Sequence, residues 1–130
     1  MTAYTYGVYD LFHIGHINLF KRIKENCNKL IVGVHTDEQV ITYKRQPIIP
    51  YEQRLEIIRS CKYVDEVYES ADLVVTNALL FKLKADCVFA GRENVQYIKK
   101  YYQIDDDKLV LLDRTSEICT SDIISKIKNL

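Results

Sequence analysis

Short apolar runs alternate with helical spacings along the chain. Tyr4 to Val8 predicts a first strand. Ile17, Phe20, Ile23 and Cys27 recur at intervals of three and four, with Lys21, Arg22, Lys24 and Glu25 between them, which predicts an amphipathic helix. The continuous run Leu30-Ile31-Val32-Gly33-Val34 predicts a strand covered on both faces. The only two prolines, Pro47 and Pro50, make Tyr43 to Pro50 an extended loop. Further on, the pattern predicts a helix from Glu52 to Cys61, a strand from Val64 to Tyr68 and a helix from Asn77 to Lys84. A strand from Cys87 to Ala90, a helix from Asn94 to Tyr102, a strand from Lys108 to Leu112 and a helix from Thr120 to Lys128 complete it. Strands alternating with helices in this way predict an α/β fold: a doubly wound five-stranded parallel sheet in a single domain, 1–130.

Composition narrows the classes of function. The chain is 48% apolar and 28% charged, which excludes a disordered segment. Eighteen basic and 18 acidic residues leave no net charge, so no nucleic-acid partner is expected. No apolar run reaches the roughly 18 residues of a membrane span. The start, MTAYTYGVYDLF, lacks the basic and apolar regions of a secretory signal. Cysteines 27, 61, 87 and 119 form no CxxC pair; Cys61 and Cys87 lie in apolar surroundings and read as buried hydrophobes of a cytoplasmic protein.

In a parallel sheet ligands bind beyond the carboxyl ends of the strands, at a topological switch point. Those ends are expected at 9–16, 35–45, 69–72, 91–96 and 113–121. The first holds His13 and His16, three residues apart at a helix start, with Gly15 between them. Backbone donors there, joined by two imidazoles, suit a phosphate. Two other readings stand beside this one: a metal pair completed by His35 or Asp10, and plain helix caps. Lys44 and Arg45 share the proline-bounded loop. Arg114 and Thr115 follow the last strand, and Cys119, Thr120, Ser121 and Asp122 open the last helix. Three anion sites at the ends of one sheet point to a polyphosphate.

The segments TYGVYDLFHIGH (5–16), VGVHTDE (32–38), YEQR (51–54), KYVDEV (62–67) and RTSEICTSDII (114–124) together resemble the small cytidylyltransferases of the nucleotidylyltransferase superfamily. The resemblance implies a Rossmann-like fold and transfer of CMP from CTP to a phosphorylated alcohol. The length and N-terminal half are most similar to glycerol-3-phosphate cytidylyltransferases, and the C-terminal segment to choline- and ethanolamine-phosphate cytidylyltransferases. It implies His13, His16, Lys44 and Arg114 as catalytic residues. Nucleotide contacts are implied for Gly7, Val8, Tyr9, Gly15 and both histidines. The same is implied for Arg45, Lys62, Arg114, Thr115, Cys119 and Thr120. Lys44 and Asp10 would meet the acceptor. Four positions depart from the family pattern: Lys62 for arginine, Arg92 in an acidic segment, Glu117 for glycine and Cys119 for serine.

The chemistry implied is in-line attack by the acceptor phosphate on the α-phosphorus of CTP, through positioning and charge stabilisation alone. Mg2+ would accompany the triphosphate, with Asp10 as one candidate ligand and a structural role for Asp10 as the alternative. Glycerol 3-phosphate is the expected acceptor, choline or ethanolamine phosphate the alternative, and a nucleotide-binding module without turnover the competing class. The KYVDEV segment implies a homodimer.

Overall fold

A computed structural model describes residues 1–91, 95–113 and 119–130. Five parallel strands form the main sheet: β1 (Thr2–Gly7), β2 (Lys29–Val34), β3 (Glu66–Glu69), β5 (Cys87–Gly91) and β7 (Leu109–Leu112). Their order is β3-β2-β1-β5-β7, so the chain reverses direction of travel at β1, and the switch point falls between β1 and β5. The helices are α1 (Ile14–Lys24), α2 (Asp37–Val40), α3 (Tyr51–Arg59), α4 (Asn77–Leu83), α5 (Val95–Tyr101) and α6 (Thr120–Lys128). This is the doubly wound α/β sheet that the alternating pattern predicts, and the predicted bounds of α6 match.

Strand alternation divides the core in two. Ala3, Leu30, Val32, Val34, Cys87 and Phe89 face Phe20 and Ile23 of α1 and Leu55 and Ile58 of α3. Tyr4, Ile31 and Val88 point the other way, onto Leu79 and Leu80 of α4. Gly33 falls on this second face by strand alternation, where the Tyr4 hydroxyl occupies the space a Cβ would need. All four cysteines are free thiols; Cys87 is buried as its surroundings predict, whereas Cys61 is only half-buried, at the edge of the core beyond the end of α3.

Three features depart from the local pattern. A short parallel pair, β4 (Val75–Thr76) with β6 (Tyr102–Gln103), ends the fifth helix earlier than its apolar spacing predicts. The last strand is preceded by a 3-10 turn, Asp106–Lys108, so it begins at Leu109. Helix α2 lies in a stretch for which the apolar pattern predicts no element, although Thr36 and Gln39 form a capping box around its start. Among the described residues no helix is long and apolar enough to cross a membrane.

Candidate active site at the strand ends

The turn after β1 is built around Asp10. Tyr9 and Leu11, on either side, take left-handed backbone angles (φ 56° and 48°). Tyr9 thereby folds back over Gly7, where a Cβ would come within 2.9 Å of its ring. The Asp10 carboxylate is buried and fully engaged. Oδ1 accepts from the N–H groups of Leu11 (3.1 Å) and Ile49 (2.8 Å). Oδ2 accepts from Ile48 N–H (2.8 Å) and from Arg45 Nη1 (3.0 Å). Burial pulls its pKa upward, but the Ile48 and Ile49 donors and the Arg45 guanidinium outweigh burial and hold the carboxyl below its usual range. The Asp10 carbonyl also accepts from Thr120 Oγ1 (2.9 Å). One residue thus ties the histidine turn to the Lys44 loop and to α6. With both oxygens holding two donors each, the Asp10 carboxylate acts as scaffold, the structural role that stood as the alternative to metal or acceptor binding.

The two histidines cap α1 with their rings. His13 Nδ1 accepts from Gly15 N–H (3.0 Å), and His16 Nδ1 accepts from His13 N–H (3.2 Å). The rings stack with centroids 3.9 Å apart. A neutral imidazole that accepts at Nδ1 carries its proton on Nε2, so each ring is presented as a donor. Burial lowers the pKa of His16 to about 4, helped by His13 and Lys44 and opposed by Asp10. His16 is therefore a neutral donor at pH 7, and the cationic part of the site belongs to other residues.

A cleft of about 540 Å³ opens here, lined by Gly7, Val8, Tyr9, Asp10 and His16 on one side and by Val40, Lys44, Arg45 and Pro47 on another. Thr120 and Ser121, the first turn of α6, close it. A helix start of this kind suits an anion, because its first N–H groups have no partner within the helix. Cys119 is the N-cap, its own N–H donating to Asp122 Oδ2 (3.0 Å). A second cavity of about 150 Å³ adjoins the cleft across Gly7, Val8 and Lys44. Tyr6, Tyr43, Tyr97 and Tyr102 form its aromatic wall, and Phe89 to Gly91 its floor. Lys44 lines both spaces.

The structure brings Gly7, Val8, Tyr9, His16, Lys44, Arg45 and Thr120 to one cleft and stacks His13 beside it. Gly15 contributes its N–H to the cap rather than to the lining. Lys62 is not brought there. It precedes β3, where Asp65 N–H bonds Leu30 O at the amino ends of the strands, and its ammonium lies 5.2 Å from the Tyr63 ring. Arg114 and Thr115 lie outside the described residues, as do Arg92 and Glu117.

Two buried groups have roles that the sequence reading did not give them. Arg54 is fully buried. Its guanidinium donates to the carbonyls of Ile49 (2.9 Å), Val8 (2.8 Å) and His35 (2.9 Å) and to Asp37 Oδ1 (2.7 Å). It clamps the ends of β1 and β2 to the Lys44 loop. The signal was present: positions 51, 54, 55 and 58 share one helical face, so Arg54 sits on the buried stripe. His35 is the second. Its Nδ1 meets the Tyr43 hydroxyl at 2.5 Å and its Nε2 faces the Asp72 carbonyl at 3.4 Å. Both its nitrogens are engaged, and among the described residues it joins no cluster of metal-ligating side chains with His13 and His16, which speaks against the zinc reading.

Among the described residues no three His, Cys, Asp or Glu side chains gather as a metal site.

Comparison with known proteins agrees with this geometry. A profile of the cytidylyltransferase-like family matches residues 4–125. The chain is 32% identical over 134 residues to an ethanolamine-phosphate cytidylyltransferase of Dictyostelium discoideum, covering 96% of this chain and 36% of that protein. It is 34% identical over 134 residues to a probable choline-phosphate cytidylyltransferase of Schizosaccharomyces pombe, again 96% and 36%. An FAD synthase of Thermococcus kodakarensis is 40% identical over 86 residues, 65% of this chain and 58% of that one. The chain spans little more than a third of the length of the first two relatives. A lipopolysaccharide core biosynthesis protein of Thermoplasma volcanium shares the fold, with a TM-score of 0.70 at 22% identity over 89% of this chain and 98% of that chain.

Proposed function

The chain belongs to the cytidylyltransferase-like family, and on that premise we propose that it transfers CMP from CTP to the phosphate of a small alcohol, glycerol 3-phosphate, with release of pyrophosphate. The observation that carries the reading is a single cleft at the strand ends lined by His16, Lys44 and the start of α6. Its volume suits a nucleotide. An acceptor phosphate oxygen attacks the α-phosphorus, that P–O bond forms, and the bond to the β-phosphate oxygen breaks. No protein nucleophile takes part. Magnesium belongs to this reading as part of the Mg–CTP substrate.

Each group has a distinct part. The Nε2–H of His16 meets a triphosphate oxygen as a neutral hydrogen bond, with the His13 ring stacked against it. Lys44, standing between the two cavities, supplies positive charge where the two phosphates meet. Arg114 and Thr115 are proposed, by resemblance, to close over the nucleotide. The second cavity takes the acceptor's alcohol. A second reading, choline or ethanolamine phosphate, is supported by the relatives' names and by the tyrosine wall, whose faces suit a quaternary ammonium. A cytoplasmic homodimer joined through Lys62 to Val67 completes the proposal.

The test is pyrophosphate release from Mg–CTP with a panel of glycerol 3-phosphate, choline phosphate and ethanolamine phosphate. Turnover with one acceptor, lost at least about tenfold in His16→Ala, is the expected result. CTP binding without pyrophosphate release from any acceptor would make this a binding module. A preference for choline or ethanolamine phosphate would replace the first acceptor by the second.

A further inference from the structure

We propose that His35 and Tyr43 form a latch that seats Lys44 at the junction of the two cavities, which makes His35 a positioning residue for the acceptor half of the transfer. The inference rests on the CMP-transfer reading above and concerns residues that reading leaves idle.

Lys44 needs such a device. It lies on an exposed loop, and among the described residues no carboxylate pairs with its ammonium. Its main chain is held: the N–H groups of Tyr43 (3.0 Å) and Lys44 (2.8 Å) both donate to Val40 O at the end of α2. What remains to be set is the direction of the side chain, whose ammonium stands 6.0 Å from the Tyr43 ring. That ring is fixed at two points. It packs against Tyr101 at 6.2 Å, and its hydroxyl meets His35 Nδ1 at 2.5 Å.

His35 is a rigid anchor. It is 1% exposed, immediately follows β2, and packs on Tyr6 at 4.9 Å. Its Nε2 faces the Asp72 carbonyl, which only accepts, so the ring proton sits on Nε2. Nδ1 is then an acceptor and the Tyr43 hydroxyl the donor. A continuous line of contacts runs from the end of β2 through His35 and Tyr43 to Lys44. The same Tyr43 ring walls the second cavity, so a loosened latch disturbs the acceptor's seat and leaves the histidine turn of the nucleotide cleft alone.

Steady-state kinetics of Tyr43→Phe, His35→Leu and the double variant test this. Each single change is expected to lower kcat/KM for the acceptor about three- to tenfold, the scale of one hydrogen bond, with KM for CTP within about twofold. Because both changes break the same bond, the double variant should be no worse than the worse single. If the two losses multiply, Tyr43 acts on substrate directly and the latch is wrong. An equal rise in KM for CTP, or no change, also overturns it. A readout without turnover separates failure of the latch from failure of the transfer reading. Acylation of Lys44 by an amine-reactive ester, followed by mass spectrometry with Lys126 as internal reference, should change at least about threefold in Tyr43→Phe. An unchanged ratio overturns the latch even if the wild type transfers CMP to no acceptor.

Discussion

Asp10→Asn is the sharpest probe of how this site is held. The carboxylate accepts two donors on each oxygen. An amide has one oxygen, so in either orientation its NH₂ points at two donors. The milder orientation turns the NH₂ toward Ile48 N–H and Arg45. Arg45 is 47% exposed and regains water, whereas the Ile48 N–H loses its buried partner. One donor stranded at this part-buried position costs about 1–3 kcal/mol, and loss of charge from the remaining bonds adds about 1 kcal/mol. The expected loss is therefore about 2–4 kcal/mol, read as a lower urea midpoint with unchanged slope at pH 7. Arg45→Ala removes only a half-exposed ion pair and should cost about 0–1 kcal/mol. Turnover of Asp10→Asn should fall with stability, because the loop that carries Lys44 hangs on Ile48 and Ile49. A loss below about 1 kcal/mol, or one no larger than that of Arg45→Ala, would refute the scaffold reading.

Other outcomes follow from the packing and from the histidine cap. Gly33→Ala would drive a Cβ into the Tyr4 hydroxyl and within 2.8 Å of Ala71 Cβ, so thermal unfolding should show a loss of about 1–3 kcal/mol. Tyr4→Phe should recover part of that loss, and alone should be neutral or stabilising, since the hydroxyl is buried without a hydrogen-bond partner among the described residues. His16, with its pKa lowered from 6.5 to about 4, binds fewer protons folded than unfolded. Its contribution to stability is complete above pH 6.5 and is lost as pH falls through about 4. An NMR titration of the ring should show no midpoint above pH 5, and one near 6.5 would contradict the neutral-donor role.

Much of this was legible from periodicity. Alternating runs identify the five strands, because a strand covered on both faces must be apolar throughout and an outer helix must not. The turn that carries His13 and His16, the Lys44 loop and the start of α6 were legible as neighbours at the strand ends, and they line one cleft. The bounds of β3, α5 and β7 were less so, because pairing with another strand decides where an element stops. Helix α2 carried its signal in the Thr36 and Gln39 capping box, which apolar periodicity does not register over so short an element.

From the chain alone come the sheet, the place of the site at its carboxyl edge, and the identity of the residues that arrive there. Tertiary structure alone decided their duties. Asp10 became scaffold because Ile48 and Ile49, nearly forty positions away, turn their N–H groups to it. His35 left the metal reading because Tyr43 and Asp72 take both its nitrogens. Lys62 stayed away from the cleft because its turn lies at the strands' amino ends. Local spacing records which face of an element a residue occupies. Which distant polar group completes its hydrogen bonds is settled only when the elements pack, and in a buried site that partner determines whether a charge is free to act.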